Sequence, residues 1–125
     1  MSKFQKWIKQ ISIIIMSLFY ISVGLNHFID PYWFMQIVPP YLPFHLQLVY
    51  ISGFFEIVFG IMLLVPAFRF YAGWGLILLL IAVYPANIYL AQTNGVAMNT
   101  TPFIAWARLP FQFLFIGLAY WHRKL

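Results

Sequence analysis

The sequence contains no cysteine and very few charged residues. Of its 125 residues, 7% are charged and only two, Asp30 and Glu56, are acidic. Without cysteine the chain has no thiol for disulfide exchange, no thiolate for zinc and no ligands for an iron–sulfur cluster. The low charge leaves too little polar surface to cover a soluble globule, since 64% of the residues are hydrophobic. We therefore expect lipid to be the solvent of this chain, and the bilayer its first partner.

Four apolar stretches alternate with short connections. A helix needs ~20 residues to cross a bilayer, and the stretches at about 7–29, 44–65, 70–91 and 102–121 have that length. They predict an all-α integral membrane four-helix bundle that forms a single domain over 1–125. The basic residues before the first stretch are typical of a secretory signal. Because the stretch is long enough to span and no small-x-small cleavage site follows it, we expect a retained first helix.

The connection between the first two spans is rich in aromatic residues and prolines. Asp30 can cap a helical turn that begins at Pro31, and Pro39 and Pro40 would end that helix. Aromatic rings favour the headgroup level of a bilayer. We therefore expect a short interfacial helix that covers whatever lies below it.

Basic residues fall on one side of the predicted bundle. The termini and the second connection carry Lys3, Lys6, Lys9, Arg69, Arg123 and Lys124, whereas the first and third connections carry none. Because positive segments stay in the cytoplasm, both termini are predicted to be cytoplasmic and the protein to lie in the cell (inner) membrane. The net charge of +5 is this topology signal, since no basic stripe on a polar face supports nucleic-acid binding. On the same side, His122 is expected to be solvated.

Two charged residues, Glu56 and Arg108, lie inside the predicted spans, where an unpaired charge costs several kcal/mol. At ~1.5 Å per residue from the outer ends, Glu56 is roughly 15 Å deep and Arg108 about 8 Å deep. Arg108 can therefore reach toward Glu56, and the two are predicted to form an ion pair. Gly53 and Gly60 flank Glu56 and predict close helix packing.

Further polar side chains lie in the same outer half of the spans: His27, Tyr84, Asn87 and Gln112. All four spans thus contribute polar groups to the outer half of the bundle, which predicts a ligand-binding cavity beneath the aromatic connection. The alternative is a structural ion pair with interhelical hydrogen bonds and no ligand. No ligand spacing around His27 and His45 supports a metal site, so none is predicted. The third connection, 92–101, carries Asn94-Gly95 and is predicted to be a polar loop.

Four motifs occur in order along the chain. They are Val23-Gly24-Leu25-Asn26-His27-Phe28 with Pro31, Phe34, Pro39 and Pro43; Ser52-Gly53 through Glu56 and Gly60 to Leu63-Leu64 and Pro66; Tyr84-Pro85-Ala86-Asn87-Ile88; and Arg108-Leu109-Pro110-Phe111-Gln112. With them the chain resembles the DoxX family over roughly residues 20–121. The resemblance implies a four-helix membrane bundle. It also places five side chains at the family's characteristic positions, namely His27, Glu56, Asn87, Arg108 and Gln112.

Members of that family are linked to thiosulfate and quinone oxidoreduction as small membrane subunits, to thiol-stress complexes and, in distant animal relatives, to receptor assembly. The lack of cysteine argues against direct thiol chemistry, whereas a quinone needs only hydrogen-bond donors and an apolar slot. No nucleophile with a neighbouring base, phosphate loop or paired carboxylates supports hydrolysis or phosphoryl transfer.

Three hypotheses for function therefore stay open. In the first, the chain binds a quinone or another apolar ligand as an accessory subunit of a membrane oxidoreductase, without catalysis of its own. In the second, it is an assembly or chaperone-like factor that holds a membrane protein partner. Transport of a small solute or protons ranks last, because four short helices leave little room for alternating access unless the chain forms a homo-oligomer.

Overall fold

A computed structural model describes residues 2–124, and most of them are helical. The helices in chain order are α1 (Lys3–Ile29), α2 (Pro31–Met35), α3 (His45–Leu64), α4 (Arg69–Gln92) and α5 (Pro102–His122). Two 3-10 helices, Pro66–Phe68 and Val96–Met98, lie in the connections. Residues 2–124 contain no strand, so the predicted all-α fold is confirmed. The four long helices are long and apolar enough to cross a bilayer, and the protein is a multi-pass membrane protein.

The first helix begins at Lys3, earlier than the residue near 7 that the apolar stretch indicates. A capping box explains the extension. The Ser2 hydroxyl oxygen accepts a hydrogen bond from the Gln5 N–H at 3.1 Å, and the Gln5 side chain accepts one from the Ser2 N–H at 2.8 Å. Two backbone donors that the first turn cannot satisfy internally are thereby paired.

The short helix α2 begins at Pro31, where the sequence places it. The Asp30 carboxylate accepts a hydrogen bond from the Trp33 N–H at 3.4 Å and so caps the helix. The predicted end at Pro39 is wrong, because α2 stops at Met35. A proline disfavours helical backbone in the residue before it, and the chain passes into turns ahead of the Pro39-Pro40 pair.

Neighbouring helices in the chain pack side by side: α1 on α3, α3 on α4, and α4 on α5. The Ser12 hydroxyl of α1 and the His122 ring of α5 lie 2.8 Å apart and close the bundle. The Lys9 ammonium donates to the Lys124 carbonyl oxygen at 2.6 Å, so α1 begins and α5 finishes at the same end of the bundle. We call this the termini end (3–12, 66–74 and 119–124) and the opposite one the α2 end (27–49 and 87–108).

The buried apolar side chains form two clusters. The larger, toward the termini end, contains Ile13, Met16, Tyr20, Leu63, Ala72, Leu76, Ile77 and Ala119. The smaller, at the α2 end, contains Ile37, Leu90, Met98 and Ala105. The second cluster includes one residue of each connection at that end, so both connections fold down onto the helices.

Helices α1 and α3 approach each other at glycines. A Cβ atom added to Gly53 would lie 2.5 Å from the His27 Cβ, and one added to Gly24 would lie 2.7 Å from the Gly53 carbonyl oxygen. A Cβ at Gly60 would lie 2.9 Å from the Ile21 Cγ1. The close packing predicted at Gly53 and Gly60 is thus present, and side chains near this contact are held across a short interhelical distance.

Gly53→Ala is expected to lower the thermal stability of the purified protein. The added methyl group has no space against His27, and overpacking of this kind costs about 1–3 kcal/mol. Gly117→Ala is the matched control, because a Cβ there meets nothing within 4 Å and alanine favours a helix. Thermal unfolding in one detergent compares the two variants. Equal stability of both would contradict the tight contact between α1 and α3.

Candidate functional site

A cavity of about 310 Å³ lies at the α2 end between all four long helices. Its walls are mostly apolar, and the segment after α2 covers it with Ile37, Val38, Pro39 and Leu42. Its polar lining comes from His27 on α1, Ser52 and Glu56 on α3, Asn87 on α4 and Arg108 on α5. A concave apolar site with a few convergent polar groups is the usual form of a small-molecule site.

His27 is held from several sides on the wall of this cavity. Its Nδ1 lies 2.8 Å from the Val49 carbonyl oxygen and 3.1 Å from the Ser52 hydroxyl oxygen. Its ring centroid is 3.9 Å from that of Phe34 in α2. On the other side of the ring, Nε2 is 3.5 Å from the Glu56 Oε2. The ring therefore has one orientation, with Nε2 facing the carboxyl group.

The hydrogen bond to Val49 fixes which ring nitrogen carries a proton. A backbone carbonyl only accepts, so Nδ1 must be the donor and Nε2 is left to face Glu56. The Glu56 Oε2 is buried without a hydrogen-bond partner among the described residues, so the contact is one of proximity. Two forms of the pair contain one proton between them, a neutral imidazole beside a carboxylic acid and an imidazolium beside a carboxylate. Both forms have zero net charge. The His27–Glu56 pair can thus be buried in a membrane without a further counter-ion.

Arg108 lines the cavity from α5 and donates from Nη1 to the Met98 sulfur at 3.3 Å. The predicted ion pair with Glu56 is wrong, because the charged group within 4.0 Å of that carboxylate is His27. The reason is the helix order: α3 packs on α1 and α4, while α5 packs on α4. The other acidic residue, Asp30, caps α2. Over residues 2–124, Arg108 has no carboxylate partner.

Gln112 lies behind the cavity wall and holds it in place. It is 3% exposed, accepts a hydrogen bond from the Asn87 amide and donates one to the Leu80 carbonyl. These bonds tie α5 to α4 next to Pro85, which interrupts the backbone hydrogen bonds of α4. The Asn87 Oδ1 is buried without a hydrogen-bond partner among the described residues. The Asn87 Oδ1 is therefore a hydrogen-bond acceptor without a partner beside the cavity.

The six predicted site residues thus have different positions. Four of them line the cavity: His27, Glu56, Asn87 and Arg108. Gln112 supports Asn87 from behind, and the Tyr84 ring packs against Phe113 of α5 with centroids 5.6 Å apart, outside the cavity lining. Sequence reasoning missed Ser52 and Phe34, which orient His27, and Met98, which contacts Arg108. Within the third connection, Asn94 and Asn99 are exposed as in a polar loop, whereas Met98 is buried.

The fold and the cavity define a class of protein, a multi-pass membrane bundle with a mostly apolar chamber at one end that a few polar side chains line. Residues 16–123 match the model of a family described as "Domain of unknown function (DUF8561)", and the chain belongs to that family. The match runs from the middle of α1 to the end of α5 and includes every residue of the cavity. No curated protein and no solved structure matches the chain. Within residues 2–124, no three His, Asp or Glu side chains are grouped to hold a metal ion.

Proposed function

We propose that the cavity binds an apolar molecule with an electronegative head group, and that this molecule is a quinone. The observation that carries the proposal is Arg108, a cation without a carboxylate partner in the described chain that faces a mostly apolar chamber. A guanidinium has five N–H donors, and a thioether sulfur is a weak acceptor for one of them. A ligand that brings a strong acceptor to Arg108 therefore gains hydrogen bonds that the free protein lacks.

The arrangement of the polar groups fits a quinone head. Its carbonyl oxygens accept hydrogen bonds, and Arg108 offers donors at the cavity wall. His27 and Glu56 are titratable groups that face each other on the same wall, which supports a role in giving or taking a proton next to a bound head group. The apolar walls provide the space for the ring.

The resemblance to the DoxX family supports the same proposal. It favours a small accessory subunit of a membrane redox complex, with the electron carriers in a partner protein. The excess of basic residues at the termini end supports a cytoplasmic position for that end, and with it a position of the cavity near the outer surface of the cell membrane. Quinones dissolve in the bilayer and can reach a chamber at this depth from the side.

Thermal unfolding with added short-chain quinone tests the proposal, together with mass spectrometry of molecules extracted from the purified protein. The wild type is expected to carry a quinone and to be stabilised by the added one. Arg108→Gln should weaken quinone binding at least tenfold, because a charged hydrogen bond contributes about 1.5–3 kcal/mol. Arg123→Gln, at the termini end, is the matched control and should bind normally.

Two outcomes would overturn the proposal. If the wild type carries no quinone and gains no stability from one, the cavity has another role. If a membrane protein co-purifies with the wild type and is lost in Arg108→Gln, while no small molecule is found, the assembly-factor hypothesis is favoured instead.

A further inference from the structure

The termini end has a large excess of positive charge. Six of the seven Lys and Arg residues lie there: Lys3, Lys6, Lys9, Arg69, Arg123 and Lys124. The two acidic residues are elsewhere, Asp30 next to α2 and Glu56 within α3. The protein therefore presents several cations that its own acidic groups cannot balance.

Three of these cations are held by contacts that do not neutralise them. The Lys9 ammonium donates to the Lys124 carbonyl oxygen, and the Arg69 Nε donates to the Leu63 carbonyl oxygen at 2.7 Å. The Arg123 guanidinium lies over an aromatic ring of α5, 4.0 Å from its centroid, and its Nε is buried without a hydrogen-bond partner among the described residues. Each group keeps N–H donors that are free for an anion.

The cations are also close enough to repel one another. The Lys9 ammonium contacts the backbone of Lys124, the residue after Arg123, and a Cβ atom added to Gly73, one turn after Arg69 on α4, would lie 2.5 Å from the Arg123 Cβ. His122 was expected to be solvated, but it is 1% exposed and lies 2.8 Å from the Ser12 hydroxyl. This contact fixes α1 against α5 beneath the cations. Like charges held together at a partly dry site are costly, and one anion among them turns the repulsion into attraction.

The position of the cluster indicates where the anion comes from. Exposed aromatic side chains surround the same end, namely Trp7, Phe70, Tyr71, Trp74 and Tyr120. Such a belt lies at the headgroup level of a bilayer. We propose that Lys9, Arg69 and Arg123 bind the phosphate group of an anionic phospholipid, a site separate from the cavity at the α2 end. Phosphate oxygens accept several charged N–H bonds at once, which suits a mixed lysine and arginine site.

Native mass spectrometry from nanodiscs that contain equal amounts of phosphatidylglycerol and phosphatidylcholine with the same acyl chains tests this site. The wild type is expected to retain mainly phosphatidylglycerol, and to unfold at a higher temperature in its presence. Lys9→Gln should lower this retention at least fivefold, while Lys6→Gln, an exposed cation on the same helix, should not change it. Arg123→Gln is a second variant for the case that Lys9→Gln fails to fold.

Three results would overturn the lipid site. They are equal retention of the two lipids by the wild type, an equal loss in Lys6→Gln, and protection by inorganic phosphate as strong as that by the lipid. The last result would assign the cluster to a free anion. The Arg123→Gln variant should still be stabilised by quinone, so failure of the lipid site and failure of the cavity proposal give different results.

Discussion

Replacing both His27 and Glu56 with leucine is expected to cost less stability than the sum of the losses caused by the two single replacements. Either single change leaves one polar group of the pair facing the cavity wall without its partner, at a cost of about 1–3 kcal/mol. The double variant leaves neither. Unfolding of the wild type, both single variants and the double variant in one detergent should give a coupling free energy of about 1–3 kcal/mol.

A second cycle, between Glu56 and Arg108, is the control for this result. The two side chains line the same cavity but are not within ion-pair distance, so their coupling should be clearly weaker than that of His27 with Glu56. A stronger coupling between Glu56 and Arg108 would show that the carboxylate pairs with the guanidinium in the membrane. The assignment of His27 as the partner of Glu56 would then be wrong.

The sequence was sufficient to predict the fold and the half of the bundle in which the candidate site residues lie. Length and hydropathy determine four spans, and the rise of a helix places polar residues at a depth. On that basis four polar residues were assigned to the outer half of the bundle, and all four line one cavity: His27, Glu56, Asn87 and Arg108. Depth is predictable because it depends on position along one helix.

The partner of Glu56 was not predicted, because that choice depends on which helices are neighbours. Depth gives no information on helix order around the bundle, and Arg108 was chosen for its depth and its opposite charge. The sequence did contain a signal for the correct partner. Gly24 precedes His27 by three residues, and Gly53 precedes Glu56 by three, so each polar side chain shares a helix face with a glycine. Small residues mark close helix contacts in membranes, and these two faces meet.

The connections at the α2 end were less predictable than the helices. Met98 lies in a segment whose Asn94-Gly95 and Asn99 indicate a turn, and both asparagines do adopt positive φ. The turn residues say nothing about which apolar residues between them are buried: Met98 packs with Ile37 and Leu90, whereas Val96 is exposed. The burial of a connection is decided by the space that the helices leave, and this becomes known only after they are packed.

Gln112→Leu is expected to have a large effect on the stability of the bundle. Gln112 joins α5 to α4 through two hydrogen bonds, one with the Asn87 amide and one with the Leu80 carbonyl, and its side chain is close in size to that of leucine. Leucine fills a similar volume but leaves that amide and carbonyl without their partner. Hydrogen bonds between helices in membranes contribute about 0.6 kcal/mol each on average and up to ~1.7, so the loss of both should cost about 1–3 kcal/mol.

Gln47→Leu provides the matched control, because Gln47 is an exposed glutamine on α3 and the same substitution there should leave the unfolding temperature nearly unchanged. A second measurement separates stability from ligand binding. Asn87 lines the cavity and is positioned by Gln112, so Gln112→Leu should also weaken quinone stabilisation, although Gln112 is outside the cavity lining. If Gln112→Leu and Gln47→Leu unfold alike, the two hydrogen bonds do not join α4 to α5. If stability falls and quinone binding is unchanged, Asn87 is not part of the binding site.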